Sequence, residues 1–285
     1  MNALTLLWPD GIEHSKVLLF ATDCAAYMVK AGEALKVLFP RMLHITCAAH
    51  AAHRVAEEIR VMYPDVDKLI SNGKKVFRKC PSRVSIFRET VPGIPLSPRP
   101  VLTRWGTWLQ AALYYAKNFV DFSTVLDSFD ESESASIEIT RATLSKPSLR
   151  ADLAFIAAHF GCLPIAIERL ETRGASVVDS VGIFENLMQN LKRTPGPIGT
   201  RIRRKCDAVI KRNPDYLRVK AIANVLSGHS TTPVIGFEPS ALATFKFAPI
   251  TSVDVERSFS CLKNILTDRR QAFTVENLKM VLVIN

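Results

Sequence analysis

Three kinds of reactive side chain in this 285-residue chain fall beside the ends of expected strands and helices. Asp23 closes the apolar run Leu18-Leu19-Phe20-Ala21-Thr22, so it falls at the C-terminal end of an expected strand. Cys47 and His50 follow the next apolar run at C-x-x-H spacing, and Glu256 lies in the first turn of a helical pattern near the other end of the chain. Carboxylates gathered at one point can hold a divalent cation, because hard cations prefer carboxylate oxygens. A thiol and imidazoles suit zinc, yet no second C-x-x-H or C-x-x-C completes four ligands around His44, His50 and His53. Each residue alone also has a structural explanation. Asp23 suits a helix N-cap, Glu256 suits the positive end of a helix, and the histidines suit ordinary packing.

A second set of residues could contact nucleic acid. Thr103-Arg104-Trp105 opens a helical pattern that puts Trp105 and Trp108 on one face. Trp108 is expected in the core. Trp105 divides between the core and stacking on a base, since every base offers a π-face. Two basic clusters stand out: Lys74, Lys75, Arg78, Lys79, Arg83 and Arg88, then Arg201, Arg203, Arg204, Lys205, Lys211 and Arg212. Either alone reads as a solvated charged face. With a formal net charge of +10, phosphate contact becomes the better reading for the pair.

The elements that must position these groups follow from periodicity and punctuation. Residues 16–23 and 42–47 read as short strands around a helix ended by Pro40, a parallel strand–helix–strand unit. The unbroken apolar run in the first predicts a strand buried on both faces. From Ala48 the texture is helical, with patterns over 104–126, 149–173 and 181–192, an exposed acidic loop over 127–138, and a proline-rich, loop-like region over 193–240. Thr251 and Asp254 form a T-x-x-D capping box before the stripe Val255, Phe259, Leu262 and Leu266. Thr274 is expected to cap a last helix carrying Leu278, Val281 and Leu282.

Composition fits a folded protein, with 48% apolar and 22% charged residues. The longest apolar stretch, 153–170, is interrupted by His159, Gly161, Pro164, Glu168 and Arg169, which argues against a membrane span. The run 3–8 lacks the basic start of a signal peptide. Six scattered cysteines read as reduced intracellular thiols, so nucleus or cytoplasm is the expected compartment.

Four patterns in this order, "LLFATDCAAYM", "CAAH", "TRW" and "SVDVERSFSCLKNILTDRRQAFTVENL", resemble the hAT superfamily of DNA transposases. The last is the most specific, being similar to that family's C-terminal dimerisation segment. The resemblance implies a ribonuclease H-like fold with a large helical insertion and three carboxylates that bind Mg²⁺ for DNA cleavage and strand transfer. By position it makes Asp23 the second acid and Glu256 the third, with both as metal ligands if the site is completed. It makes Cys47 and His50 site-shaping, Trp105 a base-stacking residue, and Val255, Phe259, Leu262, Leu266, Leu278, Val281 and Leu282 a dimerisation surface. The expected organisation is a remnant over 1–10, a partial ribonuclease H-like core over 11–47, a helical insertion over 48–240, and a return to the core over 241–285.

Only 22 residues precede Asp23, with Asp10 and Glu13 as their acids. Three strands and a helix do not fit there at ~3.3 Å per strand residue. The first acid is therefore expected to be missing, which predicts a transposase-derived protein that is inactive as it stands. Such a protein has no cofactor of its own, forms homodimers or higher oligomers, and retains non-specific DNA binding. The alternatives are a piece of an active transposase and a host-recruited interaction protein that does not touch DNA.

Overall fold

The computed structural model describes residues 4, 5, 8–101, 105–266 and 274, with the backbone alone for Trp105, Ser260, Cys261, Lys263 and Asn264. In chain order the main elements begin β1 (Leu19–Thr22), α1 (Ala26–Leu38), β2 (Leu43–Thr46), α2 (Ala48–Met62), α3 (Pro64–Phe77) and α4 (Pro81–Thr90). Then come α5 (Trp105–Lys117), α6 (Phe119–Asp127), α7 (Ala135–Leu144), α8 (Pro147–Phe160) and α9 (Cys162–Leu170). The series closes with α10 (Val177–Lys192), α11 (Gly196–Lys211), α12 (Tyr216–Leu226), α13 (Pro239–Thr244) and α14 (Val253–Ile265). The fold is mostly helical, with one two-stranded parallel sheet among the described residues.

The described residues form two compact units. The first takes in the parts of the chain within 1–50, 170–182 and 212–285, the second those within 51–169 and 183–211. The 48–240 stretch, expected as one insertion, is thus divided. Residues 170–182 belong with the chain ends through Arg173, which pairs with Asp254, and Glu171, whose carbonyl accepts from Arg257; residues 212–240 do so for a local reason given by Asn213 and Asp215. The Asn213 amide accepts from Thr46 N–H at 2.9 Å and donates to Thr46 C=O at 2.9 Å. Asp215 accepts from His44 N–H at 2.8 Å, and its own N–H donates to His44 C=O at 3.1 Å. These four bonds occupy the backbone edge of β2 as a neighbouring strand would, which satisfies groups that would otherwise be buried without partners.

In the first unit β1 and β2 pair in parallel, Leu19 opposite Leu43 through Thr22 opposite Thr46, as the strand–helix–strand pattern predicts. β2 is buried throughout, whereas β1 is mostly half-buried, a correction to the doubly buried strand expected there. Inside, Thr22 Oγ1 meets His44 Nε2 at 2.9 Å, and α1 comes so close that a methyl on Gly32 would overlap the His44 ring.

The second unit is a helical assembly with an aromatic centre. The Phe77 ring lies 5.2, 6.1 and 6.0 Å from Phe87, Phe122 and Phe129, and Tyr115 lies 4.9 Å from Phe122, all edge-on. Such edge-to-face pairs add to simple area burial. Trp108 is buried, as its helical spacing predicts, and its indole N–H donates to Asp67 at 2.9 Å.

Several boundaries differ from the sequence patterns. The 104–126 helix breaks at Asn118, whose side chain donates to the Tyr114 carbonyl. The 149–173 helix bends by 41° between α8 and α9, at Gly161. The acidic 127–138 stretch is partly ordered: Asp130 and Glu133 form a capping box, and Ser134 caps α7. The 193–240 region contains α11 and α12, because Pro197 lies in a first helical turn and Pro214 just precedes a helix, where proline costs little. The Thr251 capping box is not formed; Ser252 is the N-cap of α14, and its hydroxyl turns to Glu256. Among the described residues no single helix is long and apolar enough to cross a membrane. The five described cysteines are free thiols.

Candidate functional site

Asp23, Cys47, His50 and Glu256 come from three separate stretches of the first unit and meet at one place. Asp23 follows β1 directly. It is not the N-cap of α1, which is Ala25; instead its Oδ1 accepts from Ala25 N–H at 3.2 Å and steadies the strand-to-helix turn. Cys47 follows β2, where Cys47 N–H donates to Thr22 C=O at 2.7 Å and so continues the parallel ladder. One residue on, Ala48 N–H donates to Ile250 C=O at 2.9 Å, and Ser252 N–H donates to Cys47 Sγ at 3.2 Å. The C-x-x-H segment therefore clasps the start of α14, which is what carries Glu256 to the site.

Glu256 accepts the Ser252 hydroxyl at 3.1 Å, and its Oε1 stands 3.6 Å from His50 Nδ1. That separation is beyond hydrogen-bond reach, and Nδ1 is shielded from water. The Cys47 side chain is the strongest influence raising the His50 pKa. Burial opposes it, and the Cys47, Glu256 and Asp23 charges reinforce it. At Cys47, burial pushes the thiol up, but His50 and Ser252 together bring it below its ordinary value. The paired directions are those of a thiol and an imidazole that favour proton transfer between them. Nucleophilic chemistry does not follow, because Cys47 is 1% exposed and no substrate reaches its sulfur in this arrangement.

Mg²⁺, which the resemblance implies, asks for several hard oxygen ligands in near-octahedral geometry. Here Glu256 is engaged by Ser252 and faces an imidazole, and Asp23 is tied to the backbone. Among the described residues no group of three His, Cys, Asp or Glu side chains is disposed to hold a metal ion. The residues present do not fit the ion by themselves. His44 and His53, considered with His50 as zinc ligands, point elsewhere: His44 to Thr22, and His53 Nδ1 to Gly106 N–H at 3.3 Å.

The two basic clusters part company in the structure. On α11, Arg201 and Lys205 both pair with Glu58, Arg203 donates to the Lys192 and Thr194 carbonyls, and Arg204 is exposed. Of the six cations picked out there, Arg201, Arg203 and Lys205 have intramolecular work, while Lys211 and Arg212 are exposed like Arg204. Around the end of α3, Lys74 Nζ donates to the Ser97 carbonyl at 2.6 Å, while Lys75, Arg78 and Lys79 are exposed. Arg104 lies outside the described residues, and of Trp105 the backbone alone is described, at the start of α5.

On α14, Val255 and Phe259 are 57% and 59% exposed, Leu266 is also exposed, and Leu262 is half-buried. Leu278, Val281 and Leu282, with the helix expected after Thr274, lie outside the described residues. Asn213 and Asp215, which hold the edge of β2, were not singled out by sequence. Their one sequence signal is an Asn-Pro-Asp triplet ending a basic helix, and that spacing does not name a partner more than 160 positions away.

Comparison of the chain with protein-family models, curated proteins and solved structures returns no match.

Proposed function

We propose that this protein descends from a hAT-type transposase and works by self-association, with DNA contact as a secondary property, rather than by cutting DNA. The observation that carries the reading is the convergence of Asp23, Cys47, His50 and Glu256. These four positions span more than 230 residues of sequence, and each matches a site position of the family that the chain resembles. Their meeting at the ends of a parallel strand pair and the first turn of α14 is what that descent requires. Loss of cutting is part of the proposal and rests on the engagement of both carboxylates, Asp23 by the Ala25 N–H and Glu256 by the Ser252 hydroxyl.

The apolar side of α14 supports self-association. An exposed valine and phenylalanine one helical turn apart are poorly placed for an isolated surface, and they sit on the segment that resembles the family's dimerisation region. Sedimentation of the full chain at tens of micromolar should give a defined oligomer. Phe259→Asp should shift it to monomer with helicity unchanged, because this exposed side chain adds little to the core. A monodisperse wild-type monomer would refute the reading.

A further inference from the structure

A cleft in the second unit gathers four cations that the fold does not neutralise. It is bounded by α3, the 96–101 segment and Trp108, and it encloses ≈ 450 Å³. Small-ligand sites occupy roughly 300–1,000 Å³. Asp67 is the one carboxylate among its lining residues. That acid is already engaged, by Arg60 Nε at 2.7 Å, Arg60 Nη2 at 3.0 Å and the Trp108 indole at 2.9 Å.

Lys74, Lys75, Arg78 and Arg99 remain. None forms an ion pair among the described residues; Lys74 turns to the Ser97 carbonyl, and Lys75 reaches Asn72 Oδ1 at a long 3.4 Å. Burial, and after it the nearby Arg99 charge, lowers the Lys74 pKa. Lys74 is half-buried and Lys75, Arg78 and Arg99 are exposed around it; like charges held close raise the free energy of the folded chain, and an incoming anion relieves that. Phe77, Leu96, Pro100 and Val101 give the same cleft an apolar wall, which a bare inorganic anion would leave uncovered.

We propose that this cleft binds a phosphate monoester bearing an uncharged ring system of about mononucleotide size. A monoester carries about −1.5 to −2 charges near neutral pH, against one for each diester of a nucleic-acid backbone, and so suits four clustered cations. A duplex backbone would use the exposed lysines and leave the apolar wall unfilled. Two sources offer the required chemistry, a free nucleotide and the 5′-phosphorylated end of a strand. The inference does not depend on descent from a transposase.

Calorimetric titration of the full chain with adenosine 5′-monophosphate, adenosine and inorganic phosphate tests it, beside two oligonucleotides of one sequence with and without a 5′-phosphate. The monophosphate should bind at least tenfold more tightly than inorganic phosphate or adenosine, or the phosphorylated oligonucleotide at least tenfold more tightly than its hydroxyl counterpart. The first result identifies a free nucleotide, the second a strand end. Arg78→Ser with Arg99→Ser should weaken the preferred ligand tenfold or more at unchanged melting temperature, whereas Arg204→Ser on α11 should not. If the double variant melts lower, Lys75→Ser, a single change at a third exposed position of the cleft, provides the same reading. No preference for the phosphate in either series, or binding untouched by the cleft variants, would overturn the proposal.

Discussion

The two units solve the same problem, holding helices in place, by different means. The second does it with apolar volume: Phe77, Phe87, Phe122, Phe129 and Tyr115 meet edge to face, and α3 approaches closely enough that a side chain on Gly73 would collide with the Tyr115 hydroxyl. The first has a two-stranded sheet too small to bury much, and it closes with polar staples. Asn213 and Asp215 bind the edge of β2, Lys36 pairs with Asp215, and Cys47 accepts from the start of α14. Apolar packing tolerates loss in proportion to the volume removed. A polar staple fails differently, because removing one partner leaves the other buried and unsatisfied.

The largest effect is expected in the aromatic centre. Phe122 is 1% exposed and touches both Phe77 and Tyr115. Phe122→Ala should cost about 3–5 kcal/mol, the usual range for a buried phenylalanine. Amide exchange should then rise in α3 and α6 while β2 keeps its protection. Equal loss of protection in β2 would break the contrast between the units.

A smaller loss is expected from the staple at β2. Asn213→Ala strips partners from both the N–H and C=O of Thr46, and because the space left by the amide can admit a water, roughly 1–2 kcal/mol per group, the lower part of the usual range, gives a cost of about 2–4 kcal/mol. Here faster exchange should appear at Thr46 and along β2, and α6 should stay protected. Asn213→Asp sharpens the test, since it keeps the acceptor for Thr46 N–H but loses the donor to Thr46 C=O. It should fall between the wild type and alanine.

This contrast also explains what could be read from sequence. The helical texture, the parallel strand pair and the buried Trp108 were legible because apolar periodicity is a local signal. The cluster of Asp23, Cys47, His50 and Glu256 was named through a family resemblance, not through spacing, since nothing local ties position 23 to position 256. Asn213 and Asp215 were missed for the same reason: their partners are on β2, and an Asn-Pro-Asp triplet looks like a turn. The prolines of 193–240 misled because proline marks a break inside a helix and is harmless in its first turn, where Pro197 stands. Arg201, Arg203 and Lys205 looked like one exposed basic face because Glu58, the acid shared by Arg201 and Lys205, is 143 positions from the nearer of them.

The smallest effect, and the most specific to the polar unit, is a pair of opposed pH dependences. His44 is fully buried. Its pKa is lowered, first by burial and then by the Lys36 charge, against the opposing pull of Asp215 and Glu33; Thr22 and the Phe20 ring complete its surroundings. The unfolded chain therefore binds a proton at His44 more readily than the folded one. Stability from this residue is complete above the ordinary value of 6.5 and is lost as pH falls from there toward the lowered folded value. His50 runs the other way. Cys47 chiefly, with Glu256 and Asp23, raises its pKa, so its contribution is complete below 6.5 and is lost as pH rises through the raised folded value. Chemical denaturation between pH 5 and 8 should show His44→Gln flattening the acid side of the stability profile and His50→Gln flattening the alkaline side. The aromatic centre supplies no histidine of this kind, so Phe122→Ala should lower the whole profile without changing its slope. The same slope change in both histidine variants would mean that the two rings do not sit in the opposed environments described, and the polar account of the first unit would fall with it.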